Sequence, residues 1–94
     1  MVVGSLKARL LLRGSRSLKD KRQVVRSVLD RVRHQFHVAA AEVDAHDDHR
    51  LIVLGFAAVG AEPGPVRQAL QAIADALRVH PVAEYLGGEI EVGG

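Results

Sequence analysis

Residues 2–13 read VVGSLKARLLLR, and residues 17–33 read SLKDKRQVVRSVLDRVR. In the first segment apolar and polar residues alternate, with Leu6 and Leu10 on the apolar face, which is typical of a half-buried strand. In the second segment apolar residues recur at helical spacing behind Ser17, a favourable N-cap residue. The two segments therefore predict a strand over 2–13, a tight turn and a helix from 18 to about 35.

The rest of the chain predicts two further strands, a second helix and a last strand. The boundaries we expect are a strand over 36–43, a polar loop over 44–50, a strand over 51–59, a break over 60–65, a helix that ends before His80-Pro81, and a strand over 82–92 interrupted at Gly87-Gly88. The order βαββαβ favours a four-stranded antiparallel sheet with both helices on one face, the ferredoxin-like α+β fold. We expect a single domain over residues 1–94.

The composition restricts the chemistry of the chain. Apolar residues make up 48% and charged residues 26%, as in globular proteins, and no apolar run approaches the ~20 residues of a membrane span. The sequence has no Cys, Thr, Asn or Trp, which excludes a disulfide framework and a thiol nucleophile. An acylphosphatase of this fold needs a catalytic Asn, and no Gly-rich nucleotide-binding or serine-hydrolase motif is present. We expect no enzymatic activity and no cofactor.

Charge is divided unevenly along the chain. Residues 1–33 hold ten of the thirteen Lys and Arg residues against two acids, a formal charge of +8, and the remaining residues carry −6. A basic half favours a partner that bears phosphates. The alternative is that the two halves neutralise each other within the folded domain.

The basic residues concentrate at the entrance of the first helix. Cations are unfavourable at this positive end of the helix dipole, whereas its free N–H groups and the hydroxyls of Ser15 and Ser17 favour an anion. At 100° per residue, Lys19 and the arginines at 22, 26 and 33 fall within about 60° of one another. The predicted anion- or nucleic-acid-binding residues are Arg13, Arg16, Ser17, Lys19, Lys21, Arg22, Arg26 and Arg33.

Two other groups of polar residues favour structural roles. Lys7 and Arg9 on the first strand are expected to pair with Glu89 and Glu91 on the last, and few aromatic residues are available to stack bases on the sheet. The loop over 44–50, DAHDDHR, contains possible metal ligands, but no EF-hand or HExxH pattern. We expect no metal site there; a metal-dependent hydrolase using this loop is a third possibility.

The third strand, LIVLGFAAV, is apolar on both faces. One face of such a sheet meets the helices and the other meets water, so an apolar outer face indicates an interface. The sequence therefore predicts a homodimer that packs through sheet faces or sheet edges.

The opening MVVG, the SLKDKRQVVRSVLDRVR segment, the F-V-A-E-V positions and LGFAAV together resemble the YlxP-like family, catalogued as domain of unknown function 503. The resemblance implies a ferredoxin-like fold and a bacterial cytoplasmic protein. Family members are often encoded among transcription and translation-initiation genes, which implies a link to RNA or the ribosome. The family usually carries Asp-x-Trp before the third strand; here Asp47 matches and His49 replaces the Trp.

These observations predict a cytoplasmic, non-enzymatic protein that binds RNA or a ribosomal subunit through phosphate contacts. The alternative is a homo-oligomeric protein-interaction or regulatory module that does not bind nucleic acid.

Overall fold

The secondary-structure elements follow the predicted order in a computed structural model that describes residues 1–93. They are β1 (Val2–Leu11), α1 (Leu18–Gln35), β2 (Ala39–Asp44), β3 (Leu51–Gly60), α2 (Pro63–Arg78) and β4 (Glu84–Gly93). The strands form one antiparallel sheet in the order β2-β3-β1-β4. Both helices pack against the same face of this sheet. The predicted ferredoxin-like α+β fold is confirmed.

The core lies between the helices and the inner face of the sheet. Alternate residues of β1 and β3 point inward and meet one apolar stripe from each helix. Gly4 allows α2 to approach the sheet, because a Cβ atom there would lie 2.6 Å from Cγ1 of Val66 and 2.8 Å from Cδ1 of Leu70. The largest core side chains are Leu6, Leu10, Leu12, Leu29, Ile52, Leu54, Phe56, Leu70, Ile73 and Leu77.

Helix α1 begins at the predicted residue because its N-terminus is capped. Ser17 is extended, with φ −158°, and its hydroxyl accepts a hydrogen bond from the backbone N–H of Asp20. The Asp20 carboxylate in turn accepts from the backbone N–H of Arg16 at 3.0 Å. This arrangement resembles a capping box displaced by one residue, and it fixes the turn that joins β1 to α1.

Strand β2 starts three residues later than predicted. The backbone N–H of Phe36 still donates to the Val32 carbonyl at 2.7 Å, so the segment after α1 first completes the hydrogen bonding of the helix. Strand β4 also starts later, at Glu84, because the N–H groups of Val82 and Ala83 donate to a histidine side chain in the preceding turn. Apolar residues in these two segments therefore lie outside the sheet ladder.

The predicted interruption of the last strand is a change of register rather than a break. Pairing between β1 and β4 shifts between Arg9 and Leu10, which face Gly87 and Tyr85. Gly87 has φ +141°, a conformation that residues with a side chain rarely adopt. The glycine thus allows β4 to continue to Gly93 across the irregularity.

No helix within residues 1–93 is long and apolar enough to cross a bilayer.

Candidate functional site

The β1–α1 turn and the exposed side of α1 hold the predicted anion-binding residues. Seven of the eight are exposed, and they extend from the turn along the helix to its last turn. The seven exposed residues are Arg13, Arg16, Ser17, Lys19, Arg22, Arg26 and Arg33. We term this set of exposed residues the strip, and its chemistry depends on which of its side chains are already paired.

Lys21 does not belong to this surface, and its prediction as a phosphate contact is wrong. Its side chain is 1% exposed, and its ammonium group donates to the carbonyls of Ala45 and Asp48, each at 2.6 Å. The same nitrogen lies 2.9 Å from Oε2 of Glu42. Lys21 occupies the apolar stripe, four residues before Val25, so it points into the domain while its neighbours point outward.

Arg13 and Arg33, at the two ends of the strip, have partners in the protein. Arg13 donates from Nε to Glu84 Oε2 at 2.9 Å, and its Nη2 lies 2.9 Å from the same oxygen. Arg33 donates from Nη2 to the carbonyl of Ala40, and its Nη1 lies 3.6 Å from Asp30 Oδ1. Both pairs are exposed and hence weak, but they give each of these guanidinium groups a partner within the protein.

Four basic residues between these ends form what we term the basic ridge: Arg16, Lys19, Arg22 and Arg26. Lys19, Arg22 and Arg26 follow an i, i+3, i+7 spacing that places them on one exposed face of α1. Among residues 1–93, no carboxylate oxygen lies within 4.0 Å of a charged nitrogen of the basic ridge. These cations are therefore available to an external anion.

The N-terminus of α1 is already occupied by groups of the protein itself. Ser15 is buried and its hydroxyl donates to the Ser17 carbonyl at 3.0 Å, while the Ser17 hydroxyl caps the helix. The carboxylate of Asp20 lies at the same end and supplies the anion that the dipole favours. The predicted use of Ser17 in anion binding is therefore not supported by the geometry, and the capacity for anions lies in the side chains of the basic ridge.

Arg50, which was not among the predicted anion-binding residues, lies at the same end of the domain as the β1–α1 turn. The Arg50 carbonyl accepts from the N–H of Leu12 at 2.7 Å, which places Arg50 beside the end of β1. Arg50 is exposed, and its charged group has no carboxylate partner among the described residues. No local pattern signals this proximity, since it arises from the pairing of β1 with β3.

The acidic loop between β2 and β3 is organised by hydrogen bonds to its own backbone. The Asp48 carboxylate accepts from the N–H groups of Leu51 and Arg50, and these bonds hold the pKa of Asp48 below its ordinary value. The Asp44 carboxylate accepts from the N–H of Ala45, which has a positive φ of 54°. Within residues 1–93 no three His, Asp or Glu side chains come together as metal ligands do.

A comparison with protein-family models matches residues 3–90 to the family described as a protein of unknown function, DUF503. The chain belongs to this family. The DUF503 match includes the whole basic ridge and the buried Lys21, and it extends from β1 into β4. A search of curated proteins found no match to the chain.

Proposed function

We propose that this DUF503 protein is a cytoplasmic, non-enzymatic RNA- or ribosome-associated protein that contacts phosphates through the basic ridge. The observation that carries the proposal is that the seven cations predicted to bind anions separate into two groups. Lys21, Arg13 and Arg33 have partners within the protein, whereas the basic ridge presents four exposed cations without carboxylate partners among the described residues.

The stability of helix α1 does not account for the cations near its N-terminus. Each cation near a helix N-terminus costs about 0.3–1 kcal/mol. Lys19 and Arg22 lie within the first turns of α1, and Asp20 is the acidic residue of the first turn. A surface that retains an unfavourable concentration of one charge is a candidate for binding the opposite charge.

The aromatic residues favour contact with the nucleic-acid backbone rather than with bases. Phe56 is 2% exposed in the core and Phe36 is packed against it. The ring of Tyr85 lies under the guanidinium group of Arg78, with 5.3 Å between Cζ and the ring centroid. None of the three rings stands free on the basic ridge, so stacking on unpaired bases has no platform there. We therefore propose phosphate contacts with little sequence readout.

The decisive experiment is ribosome-profile sedimentation of the wild type and of the triple variant Lys19→Glu/Arg22→Glu/Arg26→Glu. We expect RNase-sensitive migration of the wild type with a ribosomal subunit at low salt, and its loss at high salt. The triple variant should bind RNA at least about 100-fold more weakly, because three phosphate contacts are replaced by repulsion. Its thermal melting should change little, since all three side chains are exposed.

A charge-matched pair of single variants controls for net charge. Arg22→Glu lies on the basic ridge and Arg67→Glu lies on the exposed side of α2. Weakening by Arg22→Glu alone supports the proposal. RNA affinity that is unchanged in the triple variant, or equally reduced by Arg67→Glu, contradicts it. RNase-resistant recovery of a single partner protein would instead favour a protein-interaction module.

A further inference from the structure

The sheet face opposite the helices, which we term the outer face, carries small or aliphatic side chains along most of β2 and β3. The exception is Asp44 at the end of β2, which pairs with the outward-facing Val53. Val3 pairs with Val59 in the register, and these side chains are 46% and 67% exposed. Val43 on β2 is 49% exposed. A contiguous apolar surface of this kind marks an interaction site.

This face has a projection and a depression that are adjacent on one strand. Ala39, Ala41, Gly55 and Ala57 line a shallow depression of about 380 Å³, together with Ser5 and Lys7 of β1. Val59, which is 67% exposed, follows two residues after Ala57 on β3 and forms the projection. Residues 55, 57 and 59 lie on the same face because alternate residues of a strand share a face. A projection beside a depression is suited to a two-fold interface, in which each copy supplies both parts.

The outer face carries no excess of positive charge, which argues against a polyanion as its partner. Arg9 pairs with Glu89 at 3.2 Å, and Glu84 is paired with an arginine of the β1–α1 turn. Among residues 1–93 this leaves Lys7 and Glu91, together with Asp44 at the end of β2, without ionic partners on the face. A second copy offers both complementary charges, whereas a nucleic acid or an acidic peptide would meet Glu91 unpaired.

Two backbone carbonyls of the edge strand β2 already accept hydrogen bonds from side chains of the protein, which hinders pairing with another strand. The Ala40 carbonyl accepts from Arg33 of α1, and the Glu42 carbonyl accepts from Nε2 of His46 at 3.1 Å. Carbonyls of alternate residues point to the same side of a strand. These two acceptors are thus not free to pair with an added strand.

The opposite edge, at β4, carries like charges. Glu84, Glu89 and Glu91 face Leu11, Lys7 and Ser5 of β1, so all three carboxylates lie on one side of the edge strand. Glu84 and Glu89 are paired with arginines, so the uncompensated charge along this edge is that of Glu91. An uncompensated charge on an edge strand disfavours pairing with a second edge.

We propose that the outer face binds a second copy of this chain, with Val59 of each copy seated in the depression of the other. The edges of the sheet remain outside this interface. The proposal is independent of the basic ridge, which lies on α1 and the turn before it and stays exposed when two outer faces pack together.

Sedimentation equilibrium of nucleic-acid-free protein tests this interface. We expect a two-chain mass at micromolar concentration. Val59→Lys and Ala57→Arg should each weaken the dimer about 100-fold, because each places an unpaired charge in an apolar contact. Val79→Lys is the matched control: Val79 is 79% exposed at the end of α2, and its substitution should change the dimer less than about twofold.

Circular dichroism of the same variants reports whether they fold. If the wild type were still monomeric at about 100 μM, its self-association would be too weak for a stable interface, and the proposal would be overturned. So would a dimer that persists unchanged in folded Val59→Lys and Ala57→Arg, since association would then use another surface. Loss of the dimer in these two variants, with retention in Val79→Lys, establishes the outer face as the interface.

Discussion

The ammonium nitrogen of Lys21 lies 2.9 Å from Oε2 of Glu42, and the two side chains are 1% and 17% exposed. The same nitrogen donates to the carbonyls of Ala45 and Asp48. One buried cation therefore fastens the first turn of α1 to β2 and to the loop that follows it. A buried ammonium group needs such partners because removing it from water is costly.

Replacement of this lysine should destabilise the fold without weakening nucleic-acid binding. Lys21→Met leaves the Glu42 carboxylate and two carbonyls without their partner, and we expect unfolding free energy to fall by about 3–5 kcal/mol. Urea denaturation measures this change. Lys21→Met/Glu42→Leu should recover part of the loss, since the orphaned charge is also removed. RNA affinity, measured below the unfolding transition, should match the wild type.

If Lys21→Met instead lowered RNA affinity as much as Arg22→Met while leaving stability unchanged, Lys21 would be a ligand-binding residue. Arg22 is the appropriate comparison because it follows Lys21 directly and is exposed.

The basic ridge should give a measurable dependence of RNA affinity on salt. Four phosphate contacts on single-stranded RNA predict a slope of log K against log salt concentration of about −3. Arg22→Ala should make the slope shallower by about 0.7, because one counterion fewer is released. Arg67→Ala on α2 should leave the slope unchanged. Fluorescence anisotropy titrations over a series of salt concentrations provide the measurement; identical slopes for the two variants would speak against the basic ridge.

The turn before β4 should make stability depend on pH. Nδ1 of His80 accepts hydrogen bonds from the N–H groups of Val82 and Ala83, and a protonated Nδ1 cannot accept them. Burial, with a contribution from the charge of Arg31, lowers the pKa of His80 from its ordinary value of 6.5. The unfolded state therefore binds more protons between the lowered pKa and 6.5, and the contribution of His80 to stability rises with pH.

This contribution is fully present above pH 6.5 and is lost as the pH falls through the lowered pKa. His80→Asn retains an acceptor for the turn but does not titrate, so urea denaturation between about pH 5 and 7.5 should show a flatter profile for the variant. Parallel profiles for the two proteins would show that His80 does not cause the pH dependence of stability.

The contact between β1 and α2 should not tolerate a side chain at Gly4. A Cβ atom there would lie 2.6 Å from Val66 Cγ1, so Gly4→Ala forces the helix or its side chains to move. We expect a loss of about 1–3 kcal/mol in unfolding free energy, measured by urea denaturation. Gly14→Ala is the control, because a Cβ atom at Gly14 meets no atom within 4 Å. If the two variants were equally stable, the contact between β1 and α2 would accommodate a Cβ atom at residue 4 without loss of stability.

Much of the fold was predictable because its signals are local. The N-cap at Ser17 and the helical spacing of Val25, Val28 and Val32 fixed the start and buried side of α1. Alternation in β1 identified its inner face correctly. The starts of β2 and β4 were displaced because the apolar residues at 36, 38, 82 and 83 belong to the turns that precede these strands.

The candidate site was less predictable. The positive charge of α1 is evident in the sequence. Whether each cation is buried, paired or free depends on residues in other elements. Lys21 occupies a position of the apolar stripe, which was a local sign of burial, whereas its partner Glu42 comes from β2. Glu84, which pairs with Arg13, comes from β4.

The sequence by itself determined the order of the elements, the cap of α1 and the concentration of positive charge along that helix. Alternation, helical spacing and capping act between residues a few positions apart, so they are written directly into the chain. The tertiary structure alone decided which cations are buried, which are paired and which remain exposed, and which sheet edges are closed. Those outcomes depend on distances between segments far apart in sequence, which are set when both helices pack onto one face of the sheet.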